Sequence, residues 1–472
     1  MKIGLYGIGL DTYWAQFEGL FERLQGYQRG IAERLSGADP ELDVVNTGVV
    51  DNPDRAREVG DMLAREGVEI ILLYVSTYAL SSTVLPVVQR AKVPVLVLNL
   101  QPVRAIDYAA FNALGDRGKM TGEWLAHCQA CSAPEIASVF NRAGIDYHLV
   151  TGTLDDPEAW TEILDWVAAA KVASRLRNAR VGVLGHYYCG MLDVYSDMTQ
   201  LAVDFGVHFE LLEMCELRRH REAADGAEIQ SKLDQFQRDF DVEPACNAVE
   251  LERAARTSVA LDALVKKNRL DAMAYYYEGQ PANEYENIVT SVIAGNTLLT
   301  MHSVPVAGEC EIKNAIAMKI MDLFGTGGSF SEFYAMDFDD DIVLLGHDGP
   351  AHPAIAEGRV ALVPLPVYHG KPGTGLSIQM TVKHGPVTLL SIVQGRGGSA
   401  RLLIAEGESV PGPVLQIGNT NSRYRFSVGA KAFVNAWAEQ GPAHHMAIGT
   451  GHIAPRLKKL AGLLNLDCHQ VC

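Results

Sequence analysis

The sequence predicts an α/β protein in which two parallel-sheet units are followed by a mostly β C-terminal domain. Three observations lead there. Short apolar runs alternate with amphipathic helical segments over the first third of the chain. A second alternation opens at Ala179-Arg180-Val181-Gly182-Val183-Leu184-Gly185. Beyond about residue 326, glycine, proline and β-branched residues take over in closely spaced strand-like runs. Apolar runs interleaved with helical periodicity are the pattern of strands buried on both faces by helices, whereas short strands separated by turn residues read as a sandwich or barrel.

In chain order, Ile3 to Ile8, Val44 to Val50, Glu69 to Val75 and Val93 to Leu100 are expected strands. Helices are expected at Phe17 to Leu35, Asp54 to Glu66 and Ser82 to Ala91, and a longer one from Pro157 to Leu176 closes the first section. Each strand runs into polar or glycine-containing sequence: Gly9-Leu10-Asp11-Thr12, Ser76-Thr77-Tyr78 and Asn99-Leu100-Gln101-Pro102. Ligands of open parallel sheets bind beyond the carboxyl ends of the strands, so these turns are candidate ligand-binding walls. In the middle section Asp193 to Phe205, Ala223 to Phe240 and Leu251 to Lys267 read as helices, and Glu210 to Leu212 and Ala272 to Tyr277 as strands. Strand-like runs then recur at Val360 to Pro364, Gly375 to Val382, Val387 to Val393 and Arg401 to Ala405. The expected domains are 1–176, 177–325 and 326–472.

Composition narrows the function classes. Of 472 residues, 48% are hydrophobic and 21% charged, which fits a folded enzyme rather than a disordered chain. The net charge of −17 argues against a nucleic-acid surface, which needs clustered Lys and Arg. The opening Met1-Lys2-Ile3-Gly4-Leu5-Tyr6-Gly7 reads as a strand, without the basic and apolar regions of a secretory signal. No run approaches the roughly 18–20 apolar residues of a membrane span. A cytoplasmic protein with no membrane and no nucleic-acid partner is expected. The eight cysteines show no disulfide rhythm, and Cys128-Gln129-Ala130-Cys131 reads as two partly buried helix cysteines rather than a zinc or redox site. Gly4, Gly7 and Gly9 are not spaced as a dinucleotide fingerprint and read as a tight turn.

The candidate chemistry lies in four segments: Gly308-Glu309-Cys310-Glu311-Ile312-Lys313, Ser329-Phe330-Ser331-Glu332, Leu345-Gly346-His347-Asp348 and Gly441-Pro442-Ala443-His444-His445. Carboxylates with imidazoles make a mixed O/N donor set, suited to Mn²⁺, Mg²⁺ or Co²⁺. Such an ion polarises a sugar carbonyl, and a neighbouring carboxylate removes the proton from the adjacent carbon. Taken singly, each residue has a plainer reading. Glu309 precedes the apolar-periodic stretch Ile312, Ile316, Ile320, Leu323 and fits a helix-dipole carboxylate, and His347 fits a turn.

Order and flanking sequence together resemble the L-arabinose isomerase and, more loosely, the L-fucose isomerase family. Gly308, Glu309, Glu311 and Lys313 are similar to its Gly-Glu-x-acid-x-Lys segment, and Gly327-Gly328-Ser329-Phe330-Ser331-Glu332 to its Gly-Gly-x-Ser-Phe-x-Glu, one residue shorter. Leu345-Gly346-His347 and Gly441 to His445 match a Val-Leu-Gly-type strand ending in His and a Gly-x-Ala-His-His. The resemblance implies the L-fucose isomerase-like architecture of two Rossmann-like units and a β-rich domain. It implies a divalent metal, foremost Mn²⁺, on Glu309, Glu332, His347 and His445, with Glu309 and Glu332 also the acid–base pair. His444, Gln101 and Met191 would contact the sugar, and His352 stands as an alternative to His347. The implied reaction is aldose–ketose isomerisation of a free sugar through a metal-bound enediol, in a homo-oligomer, a hexamer in this family.

Two departures bear on the sugar rather than the reaction. Ile312 replaces an aromatic, and Gly9 to Trp14 replaces a Gln-His-Leu-Tyr-Gly signature. Two other functions fit the same scaffold. One is a metal-dependent sugar lyase or epimerase. The other is a non-catalytic sugar binder, with Tyr275, Tyr276 and Tyr277 stacking on sugar faces.

Overall fold

The structure, a computed structural model, describes residues 1–278, 282–365, 367–368, 371–372 and 374–472. It separates into two compact units, Met1–Ser174 and Arg175–Cys472.

The first unit is a five-stranded parallel sheet of β1 (Lys2–Ile8), β2 (Asp43–Val50), β3 (Ile70–Tyr74), β4 (Val95–Gln101) and β5 (Tyr147–Thr153), in the order β2-β1-β3-β4-β5. β3 is central and every one of its residues is buried, which is why it reads as an unbroken apolar run. The connecting helices carry their own boundaries. Asn52 accepts from Asp54 N and Arg55 N ahead of Pro53–Glu66, and Gly67 ends that helix in the left-handed conformation. The Ser76-Thr77 turn serves a structural end. Ser76 Oγ receives Ile8 N and Thr77 Oγ1 donates to Leu125 O, both buried, so the turn is tied to the end of β1 and to helix Arg117–Leu125. An open cavity of about 590 Å³ lies at the ends of β4 and β5, lined in part by Asn99, Gln101 and Thr151.

The second unit begins with β6 (Arg180–Gly185) and β7 (His208–Leu212), followed by the short β8 (Asp241–Val242), β9 (Ala272–Tyr276) and β10 (Val306–Ala307). All but β8 form a parallel sheet ordered β10-β9-β6-β7. Two helices differ from expectation. The first begins at Met198, because Asp197 accepts from Gln200 N and caps it there, leaving Asp193 in a loop. The helix expected from Ala223 to Phe240 runs from Gly226 to Asp239, started by a capping box of Asp225 and Glu228, and an unexpected helix, Met214–Ala223, precedes it. Tyr275 and Tyr276 are buried in β9 and its end.

The rest of the unit is β-rich: β11 (Gly327–Asp337), β12 (Ile342–His347), β13 (Ala361–Pro364), β14 (Val367–Tyr368), β15 (Lys371–Pro372), β16 (Leu376–Gln379), β17 (Gly385–Gln394), β18 (Ala400–Val410), β19 (Thr420–Phe426), β20 (His445–Thr450) and β21 (Asp467–Gln470). The pairings β17-β20-β11-β12-β19-β18 return from β18 to β17, closing an antiparallel barrel, with β21 added in parallel along β18. Helix Ile312–Leu323 touches β9 and β10 as well as β11, β17 and β20. It is buried from Ile312 to Met321 and mostly apolar, and its buried lysines are partnered, Lys313 by Glu311 and Lys319 by Asp322. Among the described residues no helix is long and apolar enough to cross a membrane.

Candidate metal and acid–base centre

Four segments of the second unit deliver the donors. Glu309 lies between β10 and helix Ile312–Leu323, in a turn where both it and Cys310 adopt left-handed backbone, with φ of 54° and 57°. Two consecutive non-glycine residues in that region cost about 1–3 kcal/mol each, a strain typical of functional turns. Glu309 is not a cap: the residue flanking the helix is Glu311, and no side chain caps it. Glu332 on β11 stands directly opposite His445 on β20 and Gly346 on β12. Directly opposed residues of an antiparallel pair share a face, so Glu332 and His445 point together. His347 ends β12. Gly346 is required there, since a Cβ would collide with the carbonyl oxygen of Thr420 and lie 2.7 Å from Asn421 Cβ.

The donors converge as two overlapping groups, Glu309–His347–His445 and Glu332–His444–His445, whose atoms lie within 4.8 Å of one another in each group. Glu309 Oε2 is 3.4 Å from Nε2 of both His444 and His445, and Glu309 Oε1 is 3.8 Å from His347 Nε2. Glu332 Oε2 is 3.9 Å from His444 Nε2. Phe330 packs on the His347 and His445 rings at 4.4 and 4.3 Å between centroids.

Each vicinal histidine is held by a carboxylate on its other nitrogen. His445 Nδ1 donates to Glu311 Oε2 at 3.0 Å, and Glu311 pairs in turn with Lys313 Nζ at 3.2 Å, all three buried. Lys313 Nζ also donates to Asp193 O, Val194 O and Ser196 Oγ, pinning the loop before helix Met198–Phe205. Asp193 Oδ2 accepts from His444 Nδ1 at 2.6 Å and from its backbone N at 3.0 Å. Both Nε2 atoms therefore face Glu309. Burial works against the His444 imidazolium, but the nearby Glu309 carboxylate and the hydrogen-bonded Asp193 prevail and raise its pKa to about 9. Burial raises the Glu332 carboxyl above its usual range, with Glu309 and Asp348 adding to the shift against the two histidines.

The donor set fits a hard or borderline divalent cation. His445 Nε2 is buried without a hydrogen bond, while its Nδ1 is fixed by a carboxylate, the carboxylate–histidine arrangement that orients metal-binding imidazoles. The carboxylate–imidazole separations of 3.4–3.9 Å exceed hydrogen-bond length, as expected of ligands facing a common ion.

Other sequence-predicted residues lie differently. His352 is buried with its backbone N on Ser329 Oγ, and it belongs to neither donor group. Met191 is half-buried in the loop that Lys313 pins, where its N donates to Tyr188 O and Tyr188 N to Glu309 O. Gln101 belongs to the first unit, at the end of β4, with Nε2 on Val103 O. Asp193, absent from the sequence reading of the site, is hidden there by its placement in an expected helix. Glu311 and Lys313 had a signal, their places in the Gly308–Lys313 motif.

The family profile for the L-arabinose isomerase C-terminal domain matches residues 327–467, from the first strand of the barrel to its appended strand. L-arabinose isomerase of Nocardioides sp. is 22% identical over 449 residues, covering 91% of this chain and 86% of that protein. The Acidothermus cellulolyticus enzyme of the same name is 21% identical over 347 residues (71% and 68%), and that of Aeromonas salmonicida 18% over 410 (84% and 79%). Among solved structures, an ABC transporter solute binding protein from Burkholderia multivorans aligns at 13% identity over 59% of this chain and 80% of that one, with a TM-score of 0.18, too low to bear on fold or function. The C-terminal part of the chain thus matches the L-arabinose isomerase C-terminal domain, and most of its length is similar, at 18–22% identity, to enzymes named L-arabinose isomerase.

Proposed function

We propose that the protein is a metal-dependent aldose–ketose isomerase acting on a free, unphosphorylated sugar. The observation that carries this reading is the facing of two carboxylates, Glu309 and Glu332, across a pair of imidazoles whose other nitrogens are held by Glu311 and Asp193. Glu309, Glu332, His347 and His445 would hold the ion, Mn²⁺ foremost, with Mg²⁺ or Co²⁺ as substitutes. When bound, that ion supplies Lewis acidity toward the sugar carbonyl and its neighbouring hydroxyl.

The residues divide the proton work. Interconverting an aldose and a ketose moves one proton between adjacent carbons and one between their oxygens. Glu332, whose burial brings its pKa nearer neutrality, is suited to take and return the carbon-bound proton through a cis-enediol. Glu309 is placed for the hydroxyl proton. His444, half-exposed beside both carboxylates, donates to a sugar oxygen from Nε2. Met191 and Gln101 are proposed as further sugar contacts, the latter from a neighbouring subunit of a homo-oligomer.

The test is conversion of a panel of free aldoses and ketoses by metal-stripped protein resupplied with Mn²⁺ in D₂O, quenched with chelator and read by NMR. Conversion that needs the metal and deposits deuterium on carbon supports the enediol. Conversion without deuterium would replace it with a hydride shift. Metal-loaded protein that converts nothing across the panel would sink the isomerase reading.

A further inference from the structure

The Cys128-Gln129-Ala130-Cys131 segment takes no part in the centre described above and lies within the first unit. Cys128 immediately precedes helix Gln129–Ala143, and Cys131 sits in its first turn. That geometry brings the sulfurs together: the Cys128 thiol donates to Cys131 Sγ at 2.9 Å. A disulfide bond is about 2.05 Å long, so the sulfurs need approach by only roughly 0.9 Å. The two thiols differ in access, since Cys128 is buried and Cys131 exposed. Among the described residues neither cysteine joins a group of three metal-ligating side chains, so the pair lacks the further ligands of a structural zinc site.

We propose that Cys128 and Cys131 form a redox-active dithiol that closes reversibly by exchange with a low-molecular-weight disulfide. The exposed Cys131 thiolate attacks one sulfur of that disulfide, forming a mixed disulfide and releasing the first thiol. Cys128 then attacks the Cys131 sulfur and the second thiol leaves. The two protons lost by the cysteines appear on the two released thiols, so the protein pair is oxidised and the small disulfide reduced. Burial pushes the Cys128 thiol up to about 12, with the adjacent Cys131 adding to the shift, so the exposed Cys131 is the sulfur that meets the small disulfide first.

The test uses the full chain in graded mixtures of reduced and oxidised glutathione, quenched in acid, alkylated and mapped by mass spectrometry. Alkylation of Cys128 and Cys131 is expected to fall together as the buffer becomes oxidising. Their shared peptide loses two hydrogen masses, and dithiothreitol restores both thiols. Cys128→Ser is expected to accumulate a glutathione adduct on Cys131 that the unaltered protein does not retain. Full alkylation of both cysteines at every ratio, or disulfides pairing either one with a different cysteine, would overturn the proposal.

Discussion

Glu311 and His445 are joined by a buried hydrogen bond of 3.0 Å although 134 residues separate them in the chain. The bond sets the ring's orientation: Nδ1 donates to Glu311, and Nε2 is turned toward Glu309 on the side where a metal ion would be held. Lys313 balances the Glu311 charge within the same buried group.

Replacing Glu311 should therefore weaken metal binding without touching a proposed ligand. Glu311→Gln is expected to lower Mn²⁺ affinity about 10–100-fold, read by calorimetric titration of the metal-free protein. An unchanged affinity would make Glu311 a purely structural partner of Lys313.

Asp193 plays the equivalent part for His444, and here the pH dependence has a definite sign. The folded pKa of His444 is raised to about 9 by its carboxylate partners acting against burial, from an ordinary value of 6.5. The stability this gives is complete below about pH 6.5 and is lost as pH rises through about 9. In metal-free protein, Asp193→Asn should lower the His444 pKa in an NMR titration. Its stability deficit should be largest in mildly acidic buffer and fade above pH 9. A deficit that grew with pH would contradict the pairing.

Glu309→Gln and Glu332→Gln should each reduce kcat by about 10²–10⁴-fold, the usual contribution of a positioned acid or base. Circular dichroism should show both variants folded. A variant that turned over normally would lose its assigned role.

Gly346→Ala should destabilise the barrel at the site, because the new methyl falls on the Thr420 carbonyl between two paired strands. The expected cost is about 1–3 kcal/mol in denaturant unfolding, with weaker metal binding as His347 is displaced.

The fold was legible wherever local sequence and burial agree. β3 is apolar because both of its faces are covered, and the helix expected over Asp54 to Glu66 is found at Pro53–Glu66, where its apolar positions Ala56, Val59 and Leu63 are buried. The legible part of the centre was its motif residues, since Glu332 and His347 sit in strands with recognisable flanks. What could not be read depends on distant partners. Asp193 reads as helical until Asp197 is known to cap the chain four residues later. The Glu311–His445 bond joins segments that spacing cannot connect. Glu309 reads as a helix-terminal carboxylate, yet the left-handed turn at Glu309 and Cys310 carries it to the histidines. The cysteine pair was legible as a motif, but only the structure separates a buried thiol from an exposed one.

Crystals grown with Mn²⁺ and measured at the manganese absorption edge offer the most direct measurement. The predicted result is one anomalous peak per chain, within bonding distance of Glu309, Glu332, His347 and His445. A peak bound elsewhere, or none in protein that retains stoichiometric metal in solution, would contradict the assignment of these four residues.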